Sequence, residues 1–332
     1  MTVQAETRRR PEVMSTLARL FRDQPVVPLL VVLGALIAAF AILNPQANFS
    51  GFLAAQVRTA IPLAILAGCQ TLVMLTGGID LSVAATASMA GFVAASLYTG
   101  PDSLLVAIAV SLAIAALIGA INGLGVGVFR VHPLIMTLGM GLVILGAANA
   151  WQLLTVRTRS GVPPELRWMG SATDGIVGLL PVSLLVFIPL AAIILIGLRR
   201  TGYGRMLYAV GDNPIAARLS GVKSWQVLLL LYIISALLAA LAGFLVSGLT
   251  NVASVTLVNP RLLPSVAAAV IGGTSLFGGR GGYAGAIVGA LILTVTDSLL
   301  SSLGLPEAVR QILFGSIIVA VAAFYARLAT ET

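Results

Sequence analysis

Long apolar segments without charged residues recur along the whole chain. Most of them reach the roughly 17–25 residues that a helix needs to cross a bilayer, and short polar stretches separate them. This pattern predicts an all-α, polytopic membrane protein with about ten transmembrane helices. The predicted spans are residues 26–43, 59–79, 81–101, 104–129, 133–156, 176–198, 225–249, 262–279, 281–305 and 311–326.

The composition supports this interpretation. Hydrophobic residues make up 59% of the chain and charged residues only 9%, whereas a soluble domain carries roughly 25% charged residues. Such a chain has too little polar surface to face water on all sides. The net charge of +8 would indicate nucleic-acid binding only on a soluble basic face, but the arginines lie between apolar segments. The lipid bilayer is the expected partner, and no nucleic acid is expected.

Lys and Arg residues are distributed unequally between the two sides of this topology. Thirteen of the nineteen lie on the side that holds both termini, and loops rich in Lys and Arg stay in the cytoplasm. The prediction is a multi-pass protein with both termini in the cytoplasm. Residues 1–24 form a basic cytoplasmic segment, residues 25–328 form the transmembrane domain, and residues 199–224 form its largest cytoplasmic loop.

Short motifs indicate two weakly repeated halves, an arrangement common in transporters. The sequence TGGIDL at residues 76–81 is similar to IGGTSL at residues 271–276. Glycines at four-residue spacing, which let a neighbouring helix approach closely, occur in both halves. These glycines are Gly119, Gly123 and Gly127, and Gly281, Gly285 and Gly289.

The chain lacks the residue patterns of an enzyme. It has no His/Cys/Asp/Glu cluster at metal-binding spacing, and the phosphate-binding Gly-Lys-Ser/Thr motif is missing because Val222 precedes the only lysine, Lys223. We therefore expect no catalytic residue, no metal and no cofactor on this chain. If ATP drives transport, ATP and Mg²⁺ bind a separate ATPase. An ion-coupled secondary transporter remains the alternative, with Asp80 and Asp297 as the acids near membrane depth.

The loop at residues 199–224 contains the signals of a short helix. Asn213 is a good N-cap and Pro214 suits the first turn, while Gly221 fits the position just past a helix end. Arg218 near that end complements the helix dipole. The prediction is a surface helix at residues 214–220, which is either an ordinary capped loop helix or a docking element.

This loop resembles the coupling region of the ribose-type permeases of ABC importers, a branched-chain and monosaccharide permease family. Residues 75–83, 119–139 and 266–289 resemble other segments of the same family in the right order, so the resemblance covers roughly residues 30–328. The loop residues that match the family pattern are Gly204, Arg205, Ala209, Gly211, Asn213, Pro214, Ala216, Ala217, Arg218, Ser220 and Gly221.

The resemblance implies the partners and the location of the chain. Two permease subunits, identical or paralogous, would form a pathway in the bacterial cytoplasmic (inner) membrane. ABC ATPase subunits would bind below, and a periplasmic or extracellular sugar-binding protein would deliver a monosaccharide or related polyol. The helix at residues 214–220 would seat in a groove of the ATPase and receive its nucleotide-driven movement.

A sugar pathway should offer a few hydrogen-bonding groups without a tight site. The candidates within the predicted spans are Gln70, Asp80, Ser82, Asn122 and Asp297. Polar groups at membrane depth face either a cavity or another helix, so Asp80 and Ser82 could instead cap the third span, and Asn122 could bridge two helices. Asp297 is the best candidate, because an unpaired carboxylate in lipid is costly, and Arg310 could pair with it.

Overall fold

The computed structural model describes residues 26–155, 161–171, 180–313 and 315–316, and these residues are mostly helical with no strand among them. Residues 307–313 and 315–316 are helical, and 3-10 turns at Pro101–Ser103 and Asn259–Arg261 precede α4 and α11. The helices are α1 Val26–Leu43, α2 Phe49–Met74, α3 Val83–Leu97, α4 Leu104–Gly127, α5 Pro133–Thr155, α6 Pro164–Gly170, α7 Leu184–Arg200, α8 Gly202–Asp212, α9 Pro214–Leu219, α10 Ser224–Thr250, α11 Leu262–Ile271 and α12 Tyr283–Ser302.

Helices α2 and α10 form the centre of the bundle. Helix α10 packs against α2, α3, α4 and α6, whereas α12 packs against α1, α2 and α11. The side chains buried between these helices are mostly Ala, Leu, Ile and Val. Helices α1 and α5 are mostly exposed and turn apolar side chains outward, as helices in contact with lipid do. The fold is therefore an all-α bundle built for an apolar solvent.

The predicted glycine face of α4 is confirmed. A Cβ at Gly119 would come within 2.5 Å of the carbonyl oxygen of Tyr232, and one at Gly123 within 2.6 Å of the Cα of Leu229. Backbone therefore lies against backbone where α4 meets α10, and this close approach strengthens van der Waals packing between membrane helices. The glycines of α12 lie just as closely against α11.

Two predicted spans are shorter helices than their apolar runs suggested. The run at residues 81–101 yields only the 15 residues of α3, because the chain turns at Asp80 before the helix begins. The run at residues 262–279 yields only the ten residues of α11. An irregular loop follows at residues 272–282, with left-handed backbone at several of its glycines. Glycine counts as apolar in a hydropathy pattern, so the pattern does not show this break.

The predicted number of ten spans is not confirmed. The residues that the structure describes contain six helices long and apolar enough to cross a membrane, or seven if α7 and α8, bent by 67° where they meet, count as one span. Most of the predicted span at residues 311–326 lies outside the described residues. Helix α2 begins ten residues before its predicted start because Asn48 caps it, accepting a hydrogen bond from the backbone N–H of Gly51.

The predicted loop at residues 199–224 is largely helical. Helix α8 is its longest element and buries Gly204, Leu207 and Val210 on one face. Arg205 and Ala209 lie on the exposed face. This three-residue spacing of buried positions is typical of a surface helix, and its polar face made the segment look like a loop.

Loops predicted for the same side of the membrane are neighbours in space. A Cβ at Gly78, after α2, would lie 3.2 Å from Pro133 at the start of α5. Gly211, at the end of α8, lies against Gly279 of the loop between α11 and α12. This agrees with the predicted grouping of loops into two sides. Which of the two sides faces the cytoplasm stays a prediction.

Candidate coupling and translocation sites

The predicted surface helix is confirmed as α9. Both N-terminal hydrogen bonds of its cap are present, since Asn213 Oδ1 accepts from the backbone N–H groups of Ile215 and Ala216 at 3.0 Å each. Gly221, just past the helix end, has a left-handed φ of 86°. An N-cap of this kind contributes about 1 kcal/mol to helix stability. The six-residue helix is therefore held by its own local sequence.

Helix α9 presents an apolar and basic surface away from the bundle. Ile215 is 63% exposed and Leu219 is 84% exposed. Arg218 is exposed between them, whereas Ala217 is buried with 5% of its surface accessible. Large aliphatic side chains exposed together with an arginine are typical of a protein-binding surface. The arrangement fits docking better than an ordinary capped loop helix.

Helix α8 connects α9 to the bundle. Gly204 permits close packing, since a Cβ there would lie 2.3 Å from the carbonyl oxygen of Leu198. The hydroxyl of Tyr203 donates to the carbonyl of Val227 at 2.9 Å, and the hydroxyl of Tyr208 donates to the carbonyl of Gly281 at 2.8 Å. These bonds fix α8 to α10 and to the loop between α11 and α12. Arg205 and Ser220 are exposed at the same end of the molecule.

Three distant chain segments meet at Gly211, beside the end of α8. The backbone N–H of Gly279 donates to the carbonyl of Leu75 at 3.0 Å. A Cβ on Gly211 would lie 1.8 Å from that same carbonyl oxygen, and a Cβ on Gly278 would lie 3.0 Å from the backbone nitrogen of Gly77. We call Leu75, Gly77, Gly211, Gly278 and Gly279 the backbone junction.

The backbone junction depends on glycine for two reasons. Side chains are excluded at Gly211 because the neighbouring backbone occupies their place. Gly77, Gly278 and Gly279 have φ values of 78°, 88° and 70°, which glycine adopts far more readily than other residues. The junction lies two residues before the N-cap of α9 and borders the turn that starts α3. It therefore joins the exposed helix to both irregular breaks in the bundle.

Four of the five predicted pathway residues form one buried hydrogen-bond network. Asp80 Oδ1 accepts from the backbone N–H and the hydroxyl of Ser82 at 2.9 and 2.6 Å, and Asp80 Oδ2 accepts from the hydroxyl of Ser235 at 3.3 Å. The side-chain amide of Gln70 bonds both backbone groups of Asp80. Asn122 Nδ2 donates to the hydroxyl of Ser82 at 2.9 Å.

This network fixes the start of α3 against α2, α4 and α10. All of its side chains are at most 2% exposed. Ser82 occupies the N-cap position of α3 but its side chain makes no capping hydrogen bond, and Asp80 instead bonds the backbone N–H and hydroxyl of Ser82 just before the helix. Asn122 bridges α4 to this turn, in agreement with the bridging alternative, and a pathway role for Gln70, Asp80, Ser82 and Asn122 stays a prediction. Sequence reasoning missed Ser235, because a single serine in an apolar segment carries no signal.

Asp297 lies apart from this network, towards the end of the bundle opposite to α9. The predicted pair with Arg310 is confirmed by a 2.9 Å bond from Nη1 to Asp297 Oδ1, and Arg310 also bonds Glu307. The Asp297 side chain is still 44% exposed and lines a cavity of about 470 Å³. Among the five predicted residues, Asp297 is the one that lines this cavity.

Arg261 is a cavity residue that sequence reasoning missed. The structure places it in the 3-10 turn before α11, on the wall that also carries Asp297. A basic and an acidic group therefore share one wall of the cavity.

Comparison with known proteins agrees with a helical membrane bundle. A family model described as "Branched-chain amino acid transport system / permease component" matches residues 52–322. The chain is 35% identical to the ribose import permease protein RbsC of Escherichia coli over 315 residues, which cover 94% of this chain and 95% of that protein.

Two further relatives carry related names. The fructose import permease protein FrcC of Rhizobium meliloti is 34% identical over 300 residues, covering 88% of this chain and 82% of the relative. The galactofuranose transporter permease protein YtfT of Escherichia coli is 32% identical over 266 residues, covering 79% and 76%. No solved structure matches the chain.

A multi-pass helical bundle with matches of this extent is a transport permease of the ABC type. The chain belongs to the branched-chain amino acid transport system permease family. Permease components of such importers are not themselves enzymes and act together with an ATPase and a binding protein. The findings support this interpretation over the ion-coupled secondary transporter.

Proposed function

We propose that the chain imports a monosaccharide or related polyol across the bacterial cytoplasmic membrane. The ribose, fructose and galactofuranose permeases among its relatives support this substrate class. The chain would act as one of two permease subunits, with both termini in the cytoplasm. A sugar-binding protein would deliver the substrate on the opposite side, and ATP and Mg²⁺ would bind the ATPase subunits.

The observation that carries this proposal is the exposed surface of α9. Ile215, Arg218 and Leu219 project from a capped helix that lies at the end of the membrane-spanning helices. We infer that this helix enters a groove of the ATPase, with the two aliphatic side chains as apolar anchors and the arginine facing an acidic group. The matching loop residues from Gly204 to Gly221 shape and position that helix.

The backbone junction offers a route from the docking helix to the membrane. A displacement of α9 would pass through Asn213 and Gly211 to Leu75 and Gly279, because these groups are in direct contact. Leu75 leads to the turn that starts α3, and Gly279 belongs to the loop between α11 and α12. Movement of the ATPase would therefore reach the two short helices, α3 and α11, at the ends where the chain is not continuously helical.

The charge reversal Arg218→Glu tests the docking role. Arg218 is exposed, and the hydrogen bond found for its side chain runs from Nε to the carbonyl of Pro214 within α9, so the variant should still insert and fold. Reversing a charge in a docked interface costs several kcal/mol, and each 1.4 kcal/mol is tenfold in affinity. We expect the ATPase activity stimulated by sugar and binding protein to fall about tenfold or more in the reconstituted complex.

The matched control is Lys223→Glu, which makes the same charge change just outside α9. It should retain stimulation, whereas unchanged stimulation in Arg218→Glu would refute the docking role. A bulky acid at Ala217 would be a poorer test of docking. Ala217 is 5% exposed, so the substitution would disturb packing as well as docking.

A further inference from the structure

The cavity beside Asp297 is open and carries charged and polar side chains among apolar ones, at a depth where a bilayer is apolar. Thr59 of α2, which lines it, lies ten residues into the helix, about 15 Å from Phe49 at 1.5 Å per residue. The cavity has a volume of about 470 Å³, whereas one water molecule needs roughly 15 Å³ in the same measure. The other walls come from the turn before α11, from α12 and from residues 307–315.

One of these walls is built by the segment at residues 251–261, which connects α10 to α11 without an α-helix. After α10 ends at Thr250, the next residues run back along α3, where Val255 packs in one apolar cluster with Met89 and Val93. The backbone N–H of Val258 then donates to the hydroxyl of Ser88 at 2.9 Å. Ser88 lies about 14 Å along α3 from Leu97.

Non-helical backbone at this depth is tolerated only where protein buries it or where it lines a water-filled cavity. Val258 meets the first condition, since it is fully buried. Asn259 and Pro260 are exposed and line the cavity, so they meet the second. The course of residues 251–261 therefore indicates a hydrated cavity within the bundle, independently of the charged residues in it.

The charges around the cavity balance. Arg261 and Arg310 supply two positive charges, and Asp297 and Glu307 supply two negative charges. Arg310 bridges both carboxylates, and Arg261 supplies the second positive charge on the same wall. Because opposite charges a few ångströms apart largely cancel for a third group, the cavity should attract neither an anion nor a cation.

The remaining lining groups suit a ligand with several hydroxyls. Thr294 donates its hydroxyl proton to the carbonyl of Ala290, which leaves the Thr294 oxygen as an acceptor. The guanidinium of Arg261 is a donor, and no hydrogen bond from that side chain is found within the described part of the chain. These groups would hold a ligand by hydrogen bonds. Such a site should be weak, as a site of passage requires.

We propose that this cavity is a hydrated receiving site for a neutral monosaccharide, with Arg261, Asp297 and Thr294 bonding its hydroxyl groups. The proposal rests on the proposed function for the substrate class and for the side of entry. It adds the place where the sugar is held within this chain. It also adds the selection of uncharged sugars over sugar acids and amino sugars.

Cysteine protection tests this site directly. Cys69 is the only cysteine and is buried, so an introduced thiol is labelled alone. Thr294→Cys would be modified by a membrane-impermeant thiol reagent in proteoliposomes containing the assembled complex. D-ribose, D-fructose and D-galactose are the neutral probes, and D-glucuronate and D-glucosamine are the charged ones. At ten times its Kd a ligand occupies about 90% of sites, so labelling should slow about tenfold.

Two further variants control the measurement. Gln311→Cys places a thiol on the opposite wall and should be protected by the same neutral sugar. Ser301→Cys lies near the exposed end of α12, outside the cavity lining, and should be labelled at an unchanged rate. Protection of Ser301→Cys to the same degree, or equal protection by the charged probes, would overturn the proposal.

Sugar uptake by the same proteoliposomes distinguishes a failure of the receiving site from a failure of the proposed function. If the complex imports a neutral sugar with ATP but that sugar protects neither Thr294→Cys nor Gln311→Cys, the receiving site is wrong and the proposed function stands. If the complex imports no monosaccharide, the proposed function fails, and the assignment of this ligand fails with it.

Discussion

Individual glycines determine the contact between the docking helix and the membrane bundle. A Cβ on Gly211 would lie only 1.8 Å from the carbonyl oxygen of Leu75, so there is no room for a side chain. That carbonyl already accepts a hydrogen bond from Gly279. Backbone atoms cannot move aside as a flexible side chain can, so even one methyl group must separate the segments.

We therefore expect Gly211→Ala to weaken coupling. The methyl group would force α8 away from Leu75 and Gly279, so movement of α9 would no longer reach α3 and α11. Sugar-stimulated ATPase activity and uptake should both fall severalfold in the reconstituted complex, while binding of the ATPase persists. Gly282→Ala is the control at the same end of the bundle, because nothing lies within 4 Å of its Cβ position and its φ of 179° suits any residue. Equal uptake by both variants would contradict a role for Gly211.

Asp297 is the residue at which the pathway can be tested with the smallest change. Asp297→Asn preserves the shape of the side chain but removes its charge and its ion pair with Arg310. The pair is partly exposed, and such pairs contribute little to stability, so assembly should be unaffected. Uptake kinetics should change severalfold, chiefly in the KM for sugar. Asp102→Asn, in the turn before α4, is the control, and identical kinetics for parent and Asp297→Asn would remove Asp297 from the pathway.

At the scale of elements, apolar runs predicted the uninterrupted helices well. Helices α4, α5 and α10 end within about two residues of their predicted bounds. The breaks were not visible, because they depend on interactions between distant residues. The start of α3 is determined by the bonds of Asp80 to Ser82 and Ser235, 155 residues apart in the last case, and the end of α11 by glycines that hydropathy counts as apolar.

The candidate sites show the same division between local and long-range information. Asn213, Pro214 and Gly221 are near neighbours in sequence, so the cap, first turn and end of α9 could be predicted from local patterns. The backbone junction and the cavity could not be predicted. Each brings together segments from three or more parts of the chain, and only the packing of α2, α10 and α12 sets their distances.

The turn before α3 provides a test at this scale. Asp80→Ala would leave the backbone N–H and hydroxyl of Ser82 and the hydroxyl of Ser235 without their acceptor in a fully buried place. Unsatisfied buried donors cost about 1–3 kcal/mol each, so the variant should be clearly less stable to heating in detergent. Asp80→Asn retains an oxygen acceptor and should lose less. If Asp80→Ala melted at the temperature of the parent, the network would not be what holds α3 in place.

The whole molecule separates two tasks between its ends. One end carries α9 and the backbone junction, and the other opens into the cavity beside Asp297 and Arg261. Helices α2 and α12 connect these two ends of the bundle. Each has one end close to the backbone junction and lines the cavity further along its length. We propose that another subunit supplies the energy for a change of access, in keeping with the missing phosphate-binding Gly-Lys-Ser/Thr motif.

The most direct test of this account is uphill sugar transport by purified components. Proteoliposomes would contain the permease alone or with its ATPase and binding protein, and sugar accumulation would be measured with ATP or with an imposed proton or sodium gradient. We expect sugar to accumulate only when the permease, its ATPase, the binding protein and ATP are all present, and not with either ion gradient. Accumulation by the permease alone, driven by an ion gradient, would contradict it.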